Sequence, residues 1–207
     1  MGACVKSLFK VSANYLSAAI VFPAVCLYRL TAKSIGDDRT FPGWSQAISL
    51  IPGFTGIYLR RAFYSHILLK YDSGTCISFG STISHPTAEI GRNVYVGLFC
   101  SLGSVIIEDE VLVSSHVSII NGGSQHGTKR LDIPICEQPG IWKPITIGRD
   151  SWIGERSIVM ADVGKHCVVG AGTVVTKPVP DFAVVLGSPA RIVRYRDGRE
   201  LVENASV

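Results

Sequence analysis

Ile147-Gly-Arg-Asp-Ser-Trp-Ile153-Gly-Glu-Arg-Ser-Ile-Val159 places an aliphatic residue at every sixth position. A period of six matches neither an α-helix, which repeats every 3.6 residues, nor a simple β-strand, whose side chains alternate with a period of two. It is typical of a short strand followed by a tight turn, with three such units in each coil and the aliphatic side chain inside a triangular core. This stretch therefore predicts a β-helix.

The same spacing recurs on both sides of this stretch. The further series are Ile90, Val96 and Leu102; Ile107, Val113 and Ile119; and Val163, Val169 and Val175. Gly or another small residue often follows the aliphatic residue, and we expect it to form the corner, where Gly accepts a positive φ. Because one coil buries little apolar surface, several must stack. Residues 76–180 therefore predict an all-β core, a parallel β-helix of hexapeptide repeats, and residues 181–207 predict a closing segment with a short polar tail.

Residues 1–70 differ in character from the repeat and predict a hydrophobic helical section. No charged residue lies between Lys10 and Arg29, a second uncharged stretch covers residues 44–59, and each stretch has a proline near its middle. The cations that flank the two stretches are Arg29, Lys33, Arg39, Arg60, Arg61 and Lys70.

Three interpretations of this section stay open. Kinked helices could dip into one leaflet and return, with the flanking cations on the phosphate layer. The first stretch could instead span the membrane, because it is just long enough. Both stretches could also be core helices of a soluble cap. We favour the first interpretation, because it keeps the basic residues on one side of the membrane.

Composition limits the classes of partner. Hydrophobic residues make up 47% and charged residues 17% of the chain, so part of the surface is expected to contact a membrane or another subunit. A net charge of +4 suits an anionic cofactor or an anionic lipid surface and is too small to predict nucleic-acid binding. The six cysteines lack CxxC spacing, which favours buried free thiols over disulfides.

Four motifs, in order, resemble the hexapeptide-repeat acetyltransferases, which include xenobiotic, maltose, galactoside and polysaccharide-cluster sugar enzymes. Residues 119–126, Ile-Ile-Asn-Gly-Gly-Ser-Gln-His, resemble the segment that ends in the family's catalytic histidine. The break in the repeat over residues 121–146 is similar to the loop beside its active site. Residues 147–154 resemble its coil with a tryptophan after that loop. Residues 168–177, followed by Gly-Ser-Pro-Ala-Arg at 187–191, resemble its closing signature.

The resemblance implies a left-handed β-helix and a homotrimer, with the active site between two subunits and acetyl-CoA lying along the coils. It implies an acyl-CoA-dependent O-acyltransferase with His126 as the general base. A surface-loop histidine is the alternative, although the small neighbours of His126 leave its ring open to substrates. No metal is required, because a thioester is already activated.

Further site residues are implied by the same resemblance. The candidates for contact with the acceptor or the base are Asn121, His116 and Trp152. The candidates for the cofactor are Gly154 and Gly172, beside the pantetheine arm, and Lys177 and Arg191, whose charges suit its phosphates. Ordinary turn, packing or solvated-charge roles are the alternative for each of them. Asp132 and Glu137 lie in the same loop, and the sequence assigns neither a role.

The apolar first section departs from the soluble antibiotic and maltose enzymes of this family. It favours a lipid-linked sugar or a polysaccharide precursor as acceptor, modified at the cytoplasmic face of a membrane through residues 1–70. Transfer to serine or to an antibiotic is the enzymatic alternative. A β-helix metalloenzyme like the carbonic anhydrases needs three converging histidines, and the paired histidines five apart are absent, since His116 and His126 are ten apart. A non-catalytic scaffold is the last alternative.

Overall fold

The chain folds into three helices followed by a coil of short strands. The computed structural model describes residues 2–123 and 125–200, with side chains from residue 12 onward. The helices are α1 (Gly2–Ile35), α2 (Asp37–Ser49) and α3 (Gly53–Ile67). The first section is therefore helical, as predicted.

The strands form three sheets that run along the coil. Sheet A contains β1 (Lys70–Tyr71), β4 (Glu89–Ile90), β7 (Val105–Ile107) and β10 (Ile145–Ile147), and isolated bridges continue it through Val163 and Val179. Sheet B contains β2 (Cys76–Ile77), β5 (Tyr95–Val96), β8 (Leu112–Val113), β11 (Trp152–Ile153), β13 (Val168–Val169), β15 (Ala183–Leu186) and the antiparallel β16 (Arg191–Tyr195). Sheet C contains β3 (Thr82–Ile83), β6 (Ser101–Leu102), β9 (Ser118–Ile119), β12 (Ile158–Val159) and β14 (Val174–Val175).

Each of five coils takes one strand or bridge from each sheet, a sixth coil takes one from sheets A and B, and all stack in parallel. The predicted hexapeptide-repeat parallel β-helix is therefore confirmed. The aliphatic residues of the repeat are the interior of the triangle: Val96, Val113 and Ile153 lie above one another in sheet B, and each is fully buried. We name the three edges of the triangle the A–B, B–C and C–A vertices, after the sheets that the chain connects there.

The prediction that hexad glycines supply positive φ at the corners is wrong. Neither Gly97 nor Gly154 has a positive φ. A Cβ at Gly97 would lie 2.6 Å from the Ser115 nitrogen, and one at Gly154 would lie 2.6 Å from the Ala171 nitrogen. These positions require Gly because the backbone of the next coil leaves no room for a side chain.

Positive φ occurs instead at larger residues that stack along two vertices. They are Asn93, Glu110, Asp150, His166 and Phe182 at the A–B vertex, and Phe99, His116 and Arg156 at the B–C vertex. A left-handed backbone costs a non-glycine residue roughly 1–2 kcal/mol. The packing of neighbouring coils must offset that cost at each turn.

Helices α2 and α3 cover the open end of the first coil. Arg60 is completely buried, and its guanidinium donates to the carbonyls of Ile77 (2.8 Å), Ile51 (2.8 Å), Ser49 (3.2 Å) and Ile48 (3.3 Å). Burial lowers the pKa of Arg60, but arginine stays charged. Arg60 therefore holds the cap on the coil, and its predicted place among the cations facing a membrane is wrong.

A second set of contacts ties α2 to the coil. The Ile83 amide donates to Ser45 Oγ (2.9 Å), and that hydroxyl lies 2.9 Å from the Tyr64 hydroxyl. Phe41 and Phe63 are buried in the same cluster. Part of the second uncharged stretch, residues 44–59, therefore packs on protein, whereas Leu50 and Phe54 are 65% and 81% exposed.

Helix α1 has one covered side and one exposed side. Val21, Val25 and Tyr28 are buried against the other helices, and Pro23 lies within the continuous helix. The large apolar residues on the exposed side are Tyr15, Leu16, Ile20, Phe22, Leu27, Leu30 and Ile35. Ser12–Ile35 is long and apolar enough to cross a bilayer, with 22% of its most apolar window buried. A core helix or a signal sequence passes the same test, so the membrane association stays a prediction.

Replacing one interior aliphatic residue tests the stacked core. Ile153 is fully buried and Ile158, one strand later, is 38% exposed on the outer face. We expect Ile153→Ala to lower the free energy of unfolding by about 2–5 kcal/mol, because the cavity cannot collapse between two coils. Ile158→Ala is the matched control and should cost less than about 1 kcal/mol. Denaturant titration measures both, and equal losses would contradict an interior defined by the hexad.

Candidate active site

A long loop leaves the coil at the C–A vertex. The chain passes this vertex at residues 84–88, 103–104, 120–144, 160–162 and 176–178, once between each pair of successive coils. Four of these passages are short, and the third is the loop that carries His126. Because the hexads on either side are in register, the extra residues must project outward.

Asn121 closes the base of this loop. It is buried, its Oδ1 accepts from the Ser104 amide (2.9 Å), and its Nδ2 donates to the carbonyls of Ser104 (2.8 Å) and Lys143 (2.7 Å). Both amide protons are therefore committed to the backbone. The structure places Asn121 as a positioning residue that joins the two ends of the loop, in contrast to its predicted contact with substrate.

Two further residues, which the sequence did not indicate, fold the loop back on itself. The buried Gln138 donates to the Arg130 carbonyl (2.7 Å) and accepts from the Arg130 amide (3.1 Å). Gly140 lies directly on the Gln125–His126 peptide, since a Cβ there would come within 2.9 Å of the His126 nitrogen. The Pro139-Gly140 pair, a common turn signal, was the one hint in the sequence.

The His126 ring is exposed and lies against an aromatic residue. Its centroid is 6.0 Å from that of Trp142, edge to face, and the Trp142 ring is 6.3 Å from the ring of His85. The His85 Nδ1 is 2.8 Å from Ser84 Oγ. His85 sits at the start of a turn, in which the Ala88 amide donates to its carbonyl (3.2 Å), and lies across Trp142 from His126. Asp132 pairs with Arg130 and does not orient the His126 ring.

A groove runs from this loop toward the last coils. It has a volume of about 290 Å³ and lies between Ile141, Lys143, Met160 and Pro178. The exposed Lys177 follows at the same vertex, two coils beyond the start of the loop, or roughly 10 Å along the coil axis. His126 and the predicted phosphate ligand Lys177 thus lie at one vertex, and the groove borders the base of the loop there.

Two of the predicted acceptor residues lie elsewhere. Trp152 is on the outer face of sheet B, where its indole nitrogen donates to Ser114 Oγ (3.0 Å). In a triangular coil this face is opposite the C–A vertex. His116 is at the B–C vertex, stacked on Phe99 with centroids 5.5 Å apart. Within one chain, therefore, neither residue reaches His126.

The predicted cofactor residues are divided between two vertices. Gly154 faces the next coil and is buried, so its lack of a side chain is explained by packing. Gly172, with a φ of 67°, is at the B–C vertex and has open space on its Cβ side. Arg191 begins β16 beside the same vertex and donates to the Ala190 carbonyl (3.0 Å).

A histidine–carboxylate pair also occurs far from the loop. At the A–B vertex, His166 Nδ1 lies 2.8 Å from Asp150 Oδ2, and the ring stacks on Phe182 at 5.0 Å. The hydrogen bond with His166, supported by Arg196, holds the pKa of the Asp150 carboxyl below its usual range. Phe182 covers one face of this imidazole, so the pair stiffens the vertex.

In the described parts of the chain, no three His, Cys, Asp or Glu side chains gather as a metal-binding group. The described cysteines are free: Cys100 and Cys167 are buried, and burial raises the pKa of both thiols. Cys4 lies in the part of α1 whose side chains are not described.

Comparison with known proteins gives one family match. Residues 144–177 match the family described as hexapeptide repeat of succinyl-transferase. The galactoside O-acetyltransferase of Escherichia coli is 33% identical over 129 residues, which are 59% of this chain and 59% of that protein. The serine acetyltransferase of Haemophilus influenzae is 27% identical over 72% of this chain and 55% of that protein. The chain thus spans little more than half the length of these relatives.

Solved structures share the fold. The maltose O-acetyltransferase of Clostridium difficile superposes with a TM-score of 0.66 at 18% identity, over 79% of this chain and 89% of that one. A galactoside acetyltransferase in complex with coenzyme A superposes with a TM-score of 0.64 at 22% identity, over 88% and 89%. The chain thus shares the hexapeptide repeat and the β-helix fold with these acetyltransferases.

Proposed function

We propose that the protein transfers an acetyl or related short acyl group from acyl-CoA to a sugar hydroxyl, with His126 as the general base. The observation that carries the proposal is the position of this imidazole. The loop that interrupts the coil holds it, open to solvent, at the same vertex as the groove and Lys177. The coenzyme A complex of the related galactoside acetyltransferase supports the choice of donor.

The chemistry needs one proton acceptor and one docking groove. The acceptor hydroxyl loses its proton to the His126 ring as its oxygen forms a bond to the thioester carbonyl carbon. When the C–S bond breaks, the thiolate leaves and recovers the proton from the imidazolium. Imidazole suits this role because its protonation changes near neutral pH.

The groove suits the donor in size and polarity. Ile141, Met160 and Pro144 give it apolar walls for a pantetheine arm. Lys143 brings a positive charge, Asp162 accepts a hydrogen bond from the Thr146 amide (2.8 Å), and Lys177 follows at the same vertex. Phosphate groups pair well with such cations. Gly172 and Arg191, at the other vertex, would reach the same cofactor from a neighbouring subunit.

The outer face of sheet B supports a homotrimer. Tyr95, Leu112 and Trp152 lie in register on neighbouring strands and are 43%, 50% and 51% exposed. This face is opposite the C–A vertex of the same chain. If the loop of a second copy covers the face, Trp152 of the first copy lies beside the active site of the second. Head-to-tail contacts of this kind close a ring. The predicted role of Trp152 is thereby retained between chains.

A membrane-bound acceptor is supported by the distribution of charge. Residues 1–70 contain eight Lys or Arg and two Asp, whereas the rest of the chain contains twelve Lys or Arg and fourteen Asp or Glu. The exposed apolar side of α1 belongs to the positive section. We infer that α1 docks on the cytoplasmic leaflet and that the acceptor is a lipid-linked or polysaccharide-precursor glycan. Serine is the second candidate acceptor, because serine acetyltransferases are among the relatives.

Removal of the base tests the mechanism. We expect His126→Ala to lower the rate of acetyl transfer by about a hundred- to ten-thousand-fold, the usual contribution of a positioned general base. His166→Ala is the matched control, since that imidazole lies at another vertex and should leave the rate unchanged. The assay follows thiol release from acetyl-CoA with extracted lipid-linked glycans, and with serine in parallel. Native rates in His126→Ala would refute the mechanism.

Opening the base of the loop tests the role of Asn121. Asn121→Ala should cost about 1–3 kcal/mol of stability, because it leaves buried backbone groups unpaired. We also expect trypsin to cut faster at Lys129 and Arg130 in the loop, and the transfer rate to fall with it. Cleavage at Arg92, within the coil, is the internal control. Unchanged loop cleavage would show that Asn121 does not hold the loop.

Charge placed on sheet B tests the trimer. Trp152→Glu should convert trimers to monomers, because a carboxylate cannot be buried unpaired at the contact. Ile158→Glu, on the outer face of neighbouring sheet C, should leave the assembly intact. Light scattering coupled to size-exclusion chromatography in detergent measures both masses. A trimer that survives Trp152→Glu would exclude sheet B as the interface.

A further inference from the structure

A second groove lies between α1 and α3, away from the C–A vertex. It has a volume of about 360 Å³, and its walls include Asn14, Tyr15, Arg61, Ser65 and Ser73. This size falls within the range of small-molecule sites, about 300–1,000 Å³. Ser73 belongs to the first turn at the A–B vertex, so the proposed acetyl transfer uses none of these residues.

Arg61 is the charged group of this groove, and it is fixed on one side only. Its Nε donates to the Thr75 carbonyl (3.2 Å), and its guanidinium carbon lies 5.0 Å from the centroid of the Tyr58 ring. Among the side chains that the structure describes, its terminal nitrogens have no hydrogen-bond or ion-pair partner. The preceding Arg60 is different, because its Nε and Nη1 atoms donate hydrogen bonds to four backbone carbonyls. The Arg61 guanidinium is therefore fixed in position at Nε, and its terminal N–H groups are open to a ligand.

The nearby polar groups complete a site for an anion. Asn14 brings an amide and Ser73 a hydroxyl to the groove, whereas the Ser65 hydroxyl already donates to the Ala62 carbonyl (2.9 Å). Asp72, the nearest acidic residue in sequence, already accepts a hydrogen bond from the Gly74 amide (2.7 Å). A fork of N–H donors surrounded by hydroxyls matches the tetrahedral oxygens of a phosphate.

The rim of the groove is apolar on the side of α1. Tyr15 is 75% exposed, and Phe22, two turns further along the same side of the helix, is 59% exposed. A ligand that satisfies both parts carries an anionic head and a long apolar tail. We propose that this groove binds the phosphate head group of an anionic membrane lipid through Arg61, with the acyl chains along α1.

This inference rests on the membrane docking proposed above and is independent of acetyl transfer. A head group held beside the first coil places the cap end of the β-helix at the membrane surface. The loop with His126 begins two coils away, roughly 10 Å along the axis. That geometry brings a lipid-linked acceptor within reach of the imidazole, whereas a soluble acceptor would not need it.

Flotation of the full-length protein with vesicles tests the site. The vesicles contain phosphatidylcholine alone or phosphatidylcholine with phosphatidylglycerol. We expect Arg61→Gln to bind the anionic vesicles at least tenfold more weakly than Arg39→Gln, which removes the same charge from an exposed position on α2. Equal losses in the two variants would mean diffuse attraction and would overturn the site. Thermal unfolding checks that both variants are folded.

Two further arms remove the remaining ambiguities. Ser65→Trp fills the groove and keeps every charge, so it should weaken binding to anionic vesicles as Arg61→Gln does; unchanged binding would overturn the site. Inorganic phosphate, with chloride at matched ionic strength as control, should not displace the wild type. Specific displacement would assign the groove to soluble phosphate and overturn the lipid head group.

Failure of this site is distinguishable from failure of the functions proposed above. If the wild type floats with neither kind of vesicle, membrane docking is refuted along with the groove. Thiol release from acetyl-CoA with a soluble glycan acceptor should be unchanged in Arg61→Gln, and a parallel loss of that activity would contradict the independence of the two sites.

Discussion

The fold depends on the register between coils. Each coil hydrogen-bonds to the next through parallel strands, so that Gly97 N donates to the Val113 carbonyl (2.8 Å) and Ser114 N donates to the Ile153 carbonyl (2.9 Å). Such stacking works only if every coil has the same circumference, because a residue gained on one face shifts all interior side chains outward. Extra residues must therefore leave the coil at a vertex. The loop that carries His126 does so, and the proposed acyl transfer is located at that vertex.

The same stacking leaves two exposed ends, which would pair with other strands if they stayed open. The antiparallel strand β16 covers sheet B in the last coil, and the helices α2 and α3 cover the first coil. Arg60 joins this cap to the coil, because one guanidinium satisfies carbonyls from the end of α2, the following turn and strand β2. Removing one partner from such a buried charge costs several kcal/mol. Part of the apolar character of residues 44–59 thus reflects a protein contact.

The sequence predicted the coil well because its period has a direct physical meaning. Ile153 and Val113 were assigned to the interior from spacing alone. The reason given for Gly154 was wrong, since spacing along one coil says nothing about the backbone of the next. Apolar residues in α2 and α1 look alike in sequence. Phe41 of α2 nevertheless packs against Tyr64, whereas Leu16 of α1 stays exposed. A local run of apolar residues does not show whether their side chains contact lipid or protein.

The sequence predicted the candidate site less completely, because it does not show on which face or vertex of the triangular coil each residue lies. His126 was found through its motif, but Trp152 and His116 were grouped with it although they follow strands of other sheets. Gln138 and Gly140, which shape the loop, belong to no repeat and carry no period. In the structure the loop bends back toward His85 near the cap, whereas the groove extends in the opposite direction, toward Lys177 near the last coil. In the proposed transfer, donor and acceptor would then arrive from opposite ends of the coil without competing for the same space.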